Sequence, residues 1–402
     1  MAATHKHTKR GFIVSLVIVL CASYTAYVLT EPFAVAQPKV TFLYSRSSQA
    51  ISLSWPSYGE AAIGITGDGV LATHGSNTPL ATASTAKILT ALAVLKQVPL
   101  TTNMNGPVIT MTQADVDSYN KYFAEGGSVV KVAVGEQISE YQALEAMLMP
   151  SANNIAESLA RWAFGNIAAF NSYANNFARQ LGMTDTTVTD PSGFLGTTVS
   201  TPHDLVILGE AALANPVVAH IVAQTGATIP VQGTIINVNS LLGHEGIVGI
   251  KTGNNDQDQG CFLFASRQTI GPQTIMVIGV IMNGPNLATT MYDALPLISS
   301  TTAAFHNVAI VKAGTTVASY TTAWGNQGSI VAQHDLSIIA WNNADITTLI
   351  SLQKLQAPIS ANSNVGSLTV NDNSSNTKYE VPVILQQSIK DPSLLWRFTH
   401  SL

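Results

Sequence analysis

Residues 83–95 read ASTAKILTALAVL, and this stretch decides the fold of the region around it. Its apolar residues fall on nearly every face of a helix, which predicts a helix buried inside a domain. Ser84 stands at the start of that helix, and Lys87 follows three residues later on the same side. A serine at a helix start gains from backbone N–H groups that stabilise developing negative charge. The stretch therefore offers a candidate nucleophile, Ser84, with Lys87 one turn further on and facing the same side.

The flanking sequence predicts one sheet with helices packed on it. Short strands surround the hairpin signal Asp68-Gly69, residues 140–183 have the helical spacing of Ala, Leu and Met, and apolar strands follow from Gly246. This order implies an α/β (α+β) domain. Beyond about Phe305, short alternating strands predict a small C-terminal all-β domain. We expect three parts: an N-terminal targeting segment over 1–36, a catalytic domain over 37–303, and a β domain with its tail over 304–402.

The N-terminus carries an export signal. Lys6, Lys9 and Arg10 precede an uncharged stretch over residues 11–29, which approaches the length needed to span a bilayer. We interpret it as an uncleaved membrane anchor. The alternative is a cleaved signal peptide, for which Ala34-Val35-Ala36 offers a cleavage site. Both interpretations place the remaining chain outside the cytoplasm, either at the outer face of the membrane or secreted to the cell wall or periplasm.

Composition excludes several classes of function. The chain is 46% hydrophobic and 10% charged, with a net charge of -5 and no basic cluster beyond the N-terminus, so nucleic acid is not expected as a partner. Its cysteines, Cys21 in the apolar N-terminal run and Cys261 in an apolar strand, are expected to be free thiols. We expect no metal site and no cofactor.

Three short motifs could together build a serine acyl-transfer site. They are Ser84-x-x-Lys87, Ser151-Ala152-Asn153 and Lys251-Thr252-Gly253, in that order along the chain. The first pattern also occurs at Ser118 and Ser128, in polar sequence without a following apolar helix. It occurs once more at Ser351, where a short helix-like piece begins inside the predicted β domain. Only Ser84 opens an apolar helix.

The order and spacing of these motifs resemble the serine D-alanyl-D-alanine carboxypeptidases, the low-molecular-mass penicillin-binding proteins of peptidase family S11. The resemblance extends over about residues 40–300 and includes Met149-Pro150-Ser151-Ala152-Asn153 and Asp190-Pro191-Ser192-Gly193-Phe194. The tail is similar to the family's C-terminal β domain. The resemblance implies a β-lactamase/transpeptidase-like sheet flanked by helices. It also implies action on peptidoglycan stem peptides that end in D-Ala-D-Ala, and acylation by β-lactam antibiotics.

The same resemblance implies a role for each candidate residue. Ser84 would attack the carbonyl of the penultimate D-Ala after Lys87 takes its proton. Ser151, oriented by Lys251, would relay a proton to the departing amine. The remaining positions would bind the substrate. Asn153 would hydrogen-bond its amide, Thr252 would hold its carboxylate, and Gly253 would let its backbone approach the strand edge. The backbone N–H groups of Ser84 and Asn254 would stabilise the oxyanion.

Each motif also has a purely structural interpretation. Ser84 and Ser151 could be helix caps, and Lys251-Thr252-Gly253 could be a strand end that enters a turn. Thr201-Pro202-His203-Asp204 has the pattern of a helix start, which explains its His and Asp without a hydrolase triad. His244-Glu245 lacks the spacing of metal ligands and is expected in a surface loop.

The sequence departs from the family at three places. Asn154 stands where an acid often follows the Ser-x-Asn motif, and Asn254-Asn255 follows Lys-Thr-Gly. No Lys or Arg lies between Arg267 and Lys312, although family members usually carry an Arg near the position of Thr290. That Arg helps to hold the terminal carboxylate, so its absence predicts weak or altered substrate preference.

Three rival functions use the same residues. A class A β-lactamase would need a deacylating Glu between the second and third motifs, and residues 184–201 contain none. An endopeptidase that cuts cross-links differs from a carboxypeptidase only in its leaving group. A weakly active scaffold that binds muropeptides or β-lactams would fit the missing Arg, but intact candidate residues argue against it.

Overall fold

A computed structural model of the protein describes residues 4–30, 38–47, 49–102, 104–255, 259–342, 344–373 and 377–400. The chain forms two compact units. The central unit is Ala50–His306, and the terminal unit combines Met1–Gln49 with Asn307–Leu402.

The helices of the described residues are α1 Thr4–Thr30, α2 Ala86–Gln97, α3 Gln113–Ala124, α4 Glu140–Leu148, α5 Asn153–Phe164, α6 Ile167–Leu181, α7 Pro202–Ala214, α8 Pro216–Val222, α9 Leu287–Ala303 and α10 Leu394–His400. The strands are β1 Lys39–Val40, β2 Ser45–Arg46, β3 Glu60–Ile65, β4 Gly69–His74, β5 Leu80–Ala81, β6 Val108–Thr110, β7 Gln137–Ser139, β8 Val199–Ser200, β9 Gly226–Ile229, β10 Gly233–Ile236, β11 Ile247–Asn255, β12 Gln259–Ile270, β13 Gln273–Gly284, β14 Phe305–Val311, β15 Thr316–Thr321, β16 Gln327–Ala332, β17 Leu336–Trp341, β18 Ile346–Leu352, β19 Asn364–Asp372 and β20 Thr377–Leu385.

The central unit is built on an antiparallel five-stranded sheet in the order β11-β12-β13-β3-β4. Side chains at successive strand positions point to opposite faces. Leu263 and Ile278 belong to the buried cluster that also holds the residues of α2 and α5 through α8. Helix α9 packs against β12 and β13. The predicted sheet with flanking helices is therefore confirmed, and α2 is buried from Ala86 to Leu95 as its sequence indicated.

The terminal unit is dominated by strands. Its main sheet runs β1-β15-β16-β20-β19-β18-β2, and β14 pairs with β17. The predicted C-terminal β domain is confirmed. Strands β1 and β2 lie in the stretch assigned above to the catalytic domain. They pair with β15 and β18 instead, so the chain up to Gln49 groups with the C-terminal strands.

Helix α1 is long and apolar enough to cross a membrane: its segment Arg10–Thr30 has a mean hydropathy of 2.3, and 6% of it is buried. A signal sequence near the N-terminus passes the same test. Cys21 and Cys261 are free thiols, as predicted.

A buried carboxyl at the start of α4 makes a pH-dependent contribution to stability. Glu140 is 0% exposed, and neither of its carboxyl oxygens has a hydrogen-bond partner among the described residues. Burial raises its pKa from 4.5 to about 7. An acid with a raised folded-state pKa lowers stability as pH rises from its unfolded pKa to its folded pKa. Above the folded-state pKa, the decrease in the free energy of unfolding is complete and amounts to about 3 kcal/mol for this shift.

We expect Glu140→Gln to raise the thermal unfolding midpoint at pH 8 and to leave it nearly unchanged at pH 4, where the carboxyl is already neutral. Thermal unfolding of the full chain in detergent at both pH values measures this difference. Glu125→Gln, at an exposed position, is the control. An equal effect of Glu140→Gln at the two pH values would show that burial of charge is not the cause.

Candidate active site

Ser84 lies in a 3-10 turn, Ala83–Thr85, that leads directly into α2. Ala83 has a φ of +46°, a left-handed conformation that is uncommon outside glycine. The Thr85 hydroxyl donates to the Thr82 carbonyl at 2.7 Å and ties the turn. Thr82 and Thr85 hold the N-cap positions, so the interpretation of Ser84 as a helix cap is wrong. Ser84 itself is half-buried between buried neighbours, which leaves its hydroxyl held in place but reachable.

Lys87 is 0% exposed, and its amine contacts three oxygen atoms. Nζ lies 2.7 Å from Ser84 Oγ, 2.7 Å from Asn153 Oδ1 and 2.9 Å from the Ser192 carbonyl. Burial, followed by the charge of Lys251, lowers the pKa of Lys87 well below its ordinary value. A neutral amine has two protons and one lone pair. It can donate to the two carbonyl-type oxygens and accept the hydroxyl proton of Ser84.

Ser151 and Lys251 form a second pair. Ser151 has a φ of +68° and is not a helix cap, because Ala152 holds the N-cap position of α5. Lys251 is buried, and its Nζ donates to Ser151 Oγ at 3.0 Å and to the Thr252 carbonyl at 2.9 Å. Burial lowers the pKa of Lys251 to about 7. Both protonation states of this amine are therefore accessible near neutral pH.

Strand β11 is at the edge of the sheet and carries the third motif inside the strand, not at its end. A Cβ on Gly253 would lie 3.0 Å from Ala83 Cβ and 3.1 Å from Ser84 N. The absence of a side chain therefore lets β11 approach the turn that holds Ser84. Thr252 is buried, whereas Asn254 is exposed.

Two adjacent asparagines fix the start of α5. Asn153 accepts from Lys87, and its backbone N–H donates to the Ser128 carbonyl at 2.8 Å. Asn154 is buried and makes two bonds to Val130: its Oδ1 accepts from the backbone N–H at 3.1 Å, and its Nδ2 donates to the carbonyl at 2.9 Å. A carboxylate could not make the second bond, which gives a physical reason for Asn at this departure from the family pattern.

Thr290, near the expected position of an Arg, is buried, and its hydroxyl donates to the Asn286 carbonyl at 2.7 Å. A Cβ on Gly260 or Gly284 would lie 2.2 or 1.9 Å from that hydroxyl oxygen. Thr290 thus fills the space that these glycines leave.

The competing Ser-x-x-Lys motifs have other surroundings. Ser118 lies inside α3, which the polar sequence had not indicated, and its hydroxyl donates to Glu157 at 3.0 Å. A capping box of Thr112 and Asp115 starts that helix. The helix-like interpretation of Ser351 is wrong, because it lies in strand β18.

Sequence reasoning missed the contribution of the loop 190–194. Its Ser192 carbonyl accepts from Lys87, and its Gly193, with a φ of +70°, lies against the Ser84 turn. A Cβ on Gly193 would lie 1.8 Å from the Ala83 carbonyl oxygen. The glycine in this loop was the available signal for such a close approach.

We expect Gly193→Ala to lower the rate of acylation at Ser84 by about 10²-fold, because the turn must move to admit the methyl group. The stopped-flow rate of labelling by a fluorescent penicillin measures the effect. Gly196→Ala, two residues beyond this loop, is the control, since a Cβ there meets nothing within 4 Å. Equal rates for the two variants would contradict the proposed tight contact.

The fold and this geometry define a class: serine acyl-transfer enzymes with a penicillin-binding, transpeptidase-like domain. The profile of the family described as D-alanyl-D-alanine carboxypeptidase matches residues 60–286. The profile of the penicillin-binding protein 5 C-terminal domain matches residues 305–391. The chain belongs to the D-alanyl-D-alanine carboxypeptidase family of serine peptidases.

Individual relatives agree with this assignment. The chain is 32% identical to D-alanyl-D-alanine carboxypeptidase DacB2 of Mycobacterium tuberculosis over 236 residues, 56% of this chain and 77% of the relative. It is 34% identical to a D-alanyl-D-alanine endopeptidase of Haemophilus influenzae over 145 residues, 36% and 46% of the two chains. The crystal structure of penicillin-binding protein 5 from Haemophilus influenzae has the same fold, with a TM-score of 0.59 at 18% identity over 85% of this chain and 99% of that chain.

Proposed function

We propose that this chain removes the terminal D-Ala from peptidoglycan stem peptides through an acyl-enzyme on Ser84. The observation that carries the proposal is the buried amine of Lys87. It lies 2.7 Å from Ser84 Oγ, and two further acceptors occupy its other directions. A lysine that burial keeps neutral can act as a general base beside a serine nucleophile.

In the proposed reaction, Lys87 takes the hydroxyl proton while Ser84 Oγ bonds to the carbonyl carbon of the penultimate D-Ala. The N–H groups of Ser84 and Asn254 stabilise the oxyanion. The C–N bond then breaks, and the proton that Lys87 took passes through Ser151, which Lys251 orients, to the departing amine, so that Lys87 is neutral again. Water attacks the resulting ester while Lys87 takes a proton from it. Lys87 returns that proton to Ser84 Oγ as the ester bond breaks, and the shortened peptide leaves with the Ser84 hydroxyl restored.

The remaining motif residues are proposed to bind substrate. Asn153 would hydrogen-bond the peptide amide, and Thr252 together with Lys251 would hold the terminal carboxylate. The strand segment at Gly253 would lie along the extended backbone of the substrate. A β-lactam would be attacked in the same way, but its opened ring stays attached and blocks the entry of water. Residues 11–29 are proposed as a membrane anchor that keeps the chain at the extracytoplasmic face.

The test uses the full chain in detergent micelles. We expect it to release D-Ala from a soluble stem pentapeptide that ends in D-Ala-D-Ala, and to form a covalent adduct with a fluorescent penicillin. Release is measured with a coupled D-amino acid oxidase assay. A folded protein that forms no adduct would remove the proposal.

The second candidate is a D,D-endopeptidase, supported by the similarity to the Haemophilus influenzae endopeptidase. A cross-linked muropeptide dimer, assayed beside the pentapeptide by mass spectrometry, separates the two. Cleavage of the dimer with the pentapeptide intact would favour the endopeptidase. Penicillin labelling without cleavage of either would favour a binding scaffold.

A further inference from the structure

Asp190 is a buried carboxylate at the base of the loop that contacts Lys87. It is 5% exposed, and its Oδ2 accepts from Ser192 Oγ at 2.6 Å, Ser192 N at 3.1 Å and Phe194 N at 3.1 Å. Its Oδ1 accepts from the Thr198 hydroxyl at 2.5 Å. These bonds fold residues 190–194 into a tight turn around a single side chain.

The turn presents two consecutive carbonyls to one face of α2. The Pro191 carbonyl accepts from the Thr90 hydroxyl at 2.7 Å, and the Ser192 carbonyl accepts from Lys87 Nζ at 2.9 Å. Lys87 and Thr90 are three residues apart, so they share a helix face. The next residue, Gly193, lies against the Ala83 carbonyl. The loop therefore touches the nucleophile turn and the base together.

We propose that Asp190 is a positioning residue for acyl transfer: it holds the Ser192 carbonyl at Lys87 and supplies the negative charge that opposes the nearby Lys251. The inference rests on the proposed function, because it concerns how Lys87 is prepared to accept the proton of Ser84. Asp190 itself need not touch the substrate.

Two charged groups from different elements act on Lys87. Lys251 on β11 lowers the pKa of Lys87, and Asp190 raises it. Tyr122 on α3 interacts with Asp190, and Cys261 on β12 interacts with Lys251. Burial raises the Tyr122 pKa, with Glu157 and Asp190 adding to the rise, so the phenol stays neutral. Asp190 is therefore the negative charge that limits the loss of basicity at Lys87. A base whose pKa falls too far accepts a proton poorly.

The test is the pH dependence of acylation in Asp190→Asn, measured by penicillin labelling of the full chain between pH 3 and pH 9. The rate rises with pH as Lys87 loses its proton. Removal of the negative charge destabilises the ammonium, so we expect the midpoint of this rise to move down by about one pH unit. The amide preserves the shape of the side chain and an acceptor oxygen for the turn.

Asp204→Asn is the matched control. Asp204 is a carboxylate 1% exposed that accepts from Asp185 N at 2.9 Å and Thr186 Oγ1 at 2.8 Å, and its hydrogen bonds within the described part of the chain do not include Lys87. We expect the acylation rate of Asp204→Asn to rise with pH at the same midpoint as that of the unmutated protein. Asp190→Ala should lower the plateau rate by about 10²-fold, because the turn loses its acceptor.

A lowered midpoint in Asp190→Asn alone supports the inference. An unchanged midpoint, or the same shift in Asp204→Asn, overturns it, even if the plateau falls, since a merely structural role lowers the plateau without moving the midpoint. Failure of the unmutated protein to label at any pH would instead remove the proposed function, and this inference with it.

Discussion

Replacing Ser84 with alanine is expected to lower the rate of penicillin acylation and of D-Ala release by at least about 10⁴-fold. Loss of a serine nucleophile in another protease costs about 10⁶-fold in turnover, and what remains comes from binding and the oxyanion site. The Ser84→Ala substitution removes only the hydroxyl group. Lys87 keeps its bonds to Asn153 and to the Ser192 carbonyl. The variant should therefore fold and still bind substrate.

Ser351→Ala is the matched control for this prediction. Ser351 also begins a Ser-x-x-Lys sequence, but it is exposed on strand β18 of the terminal unit. We expect its labelling rate to equal that of the unmutated protein. Intact mass spectrometry after exposure to penicillin measures the adduct. An adduct on Ser84→Ala at the unmutated rate would place the nucleophile elsewhere.

The periodicity of apolar residues in the sequence was sufficient to predict most of the fold. The buried helix α2, the strands β11 through β13 and the strand-rich terminal unit follow from patterns of apolar residues that tertiary contacts reinforce. Helix α3 was missed because it has a polar sequence, and its capping box at Thr112 and Asp115 is a local signal that periodicity ignores. Strands β1 and β2 were missed because two residues carry no period, and pairing with distant strands alone defines them.

The candidate site was predictable where chemistry depends on side-chain type, and unpredictable where it depends on the backbone. Ser84, Lys87, Ser151 and Lys251 were singled out by motifs whose order and spacing resemble those of the family, and the structure pairs Ser84 with Lys87 and Ser151 with Lys251. The Ser192 carbonyl carries no sequence signal, since every residue has one. Its direction depends on the turn around Asp190, whose bonds only the folded chain reveals.

Replacing Lys87 with methionine is expected to lower the acylation rate by about 10³- to 10⁴-fold, the upper part of the range for a general base. Methionine is also unbranched and is one atom shorter than lysine, but it has no lone pair of comparable basicity. Loss of the lysine amine also leaves the Asn153 amide oxygen and the Ser192 carbonyl without their hydrogen-bond donor. The residual rate should lose the pH dependence that deprotonation of Lys87 gives to the unmutated protein. Labelling rates measured from pH 3 to pH 9 test both effects.

Two further variants test whether a permanently charged side chain can replace the base, and whether the loss of any lysine from α2 has the same effect. Lys87→Arg keeps a donor group but cannot become neutral near pH 7, so we expect it to be as slow as the methionine variant. Lys96→Met changes a lysine on the same helix that contacts Gln180 on the protein surface, and it should label normally. A folded Lys87→Met protein that labels at the unmutated rate would shift the role of base to the other buried amine. Lys251, with its pKa lowered to about 7, is the group that could take it.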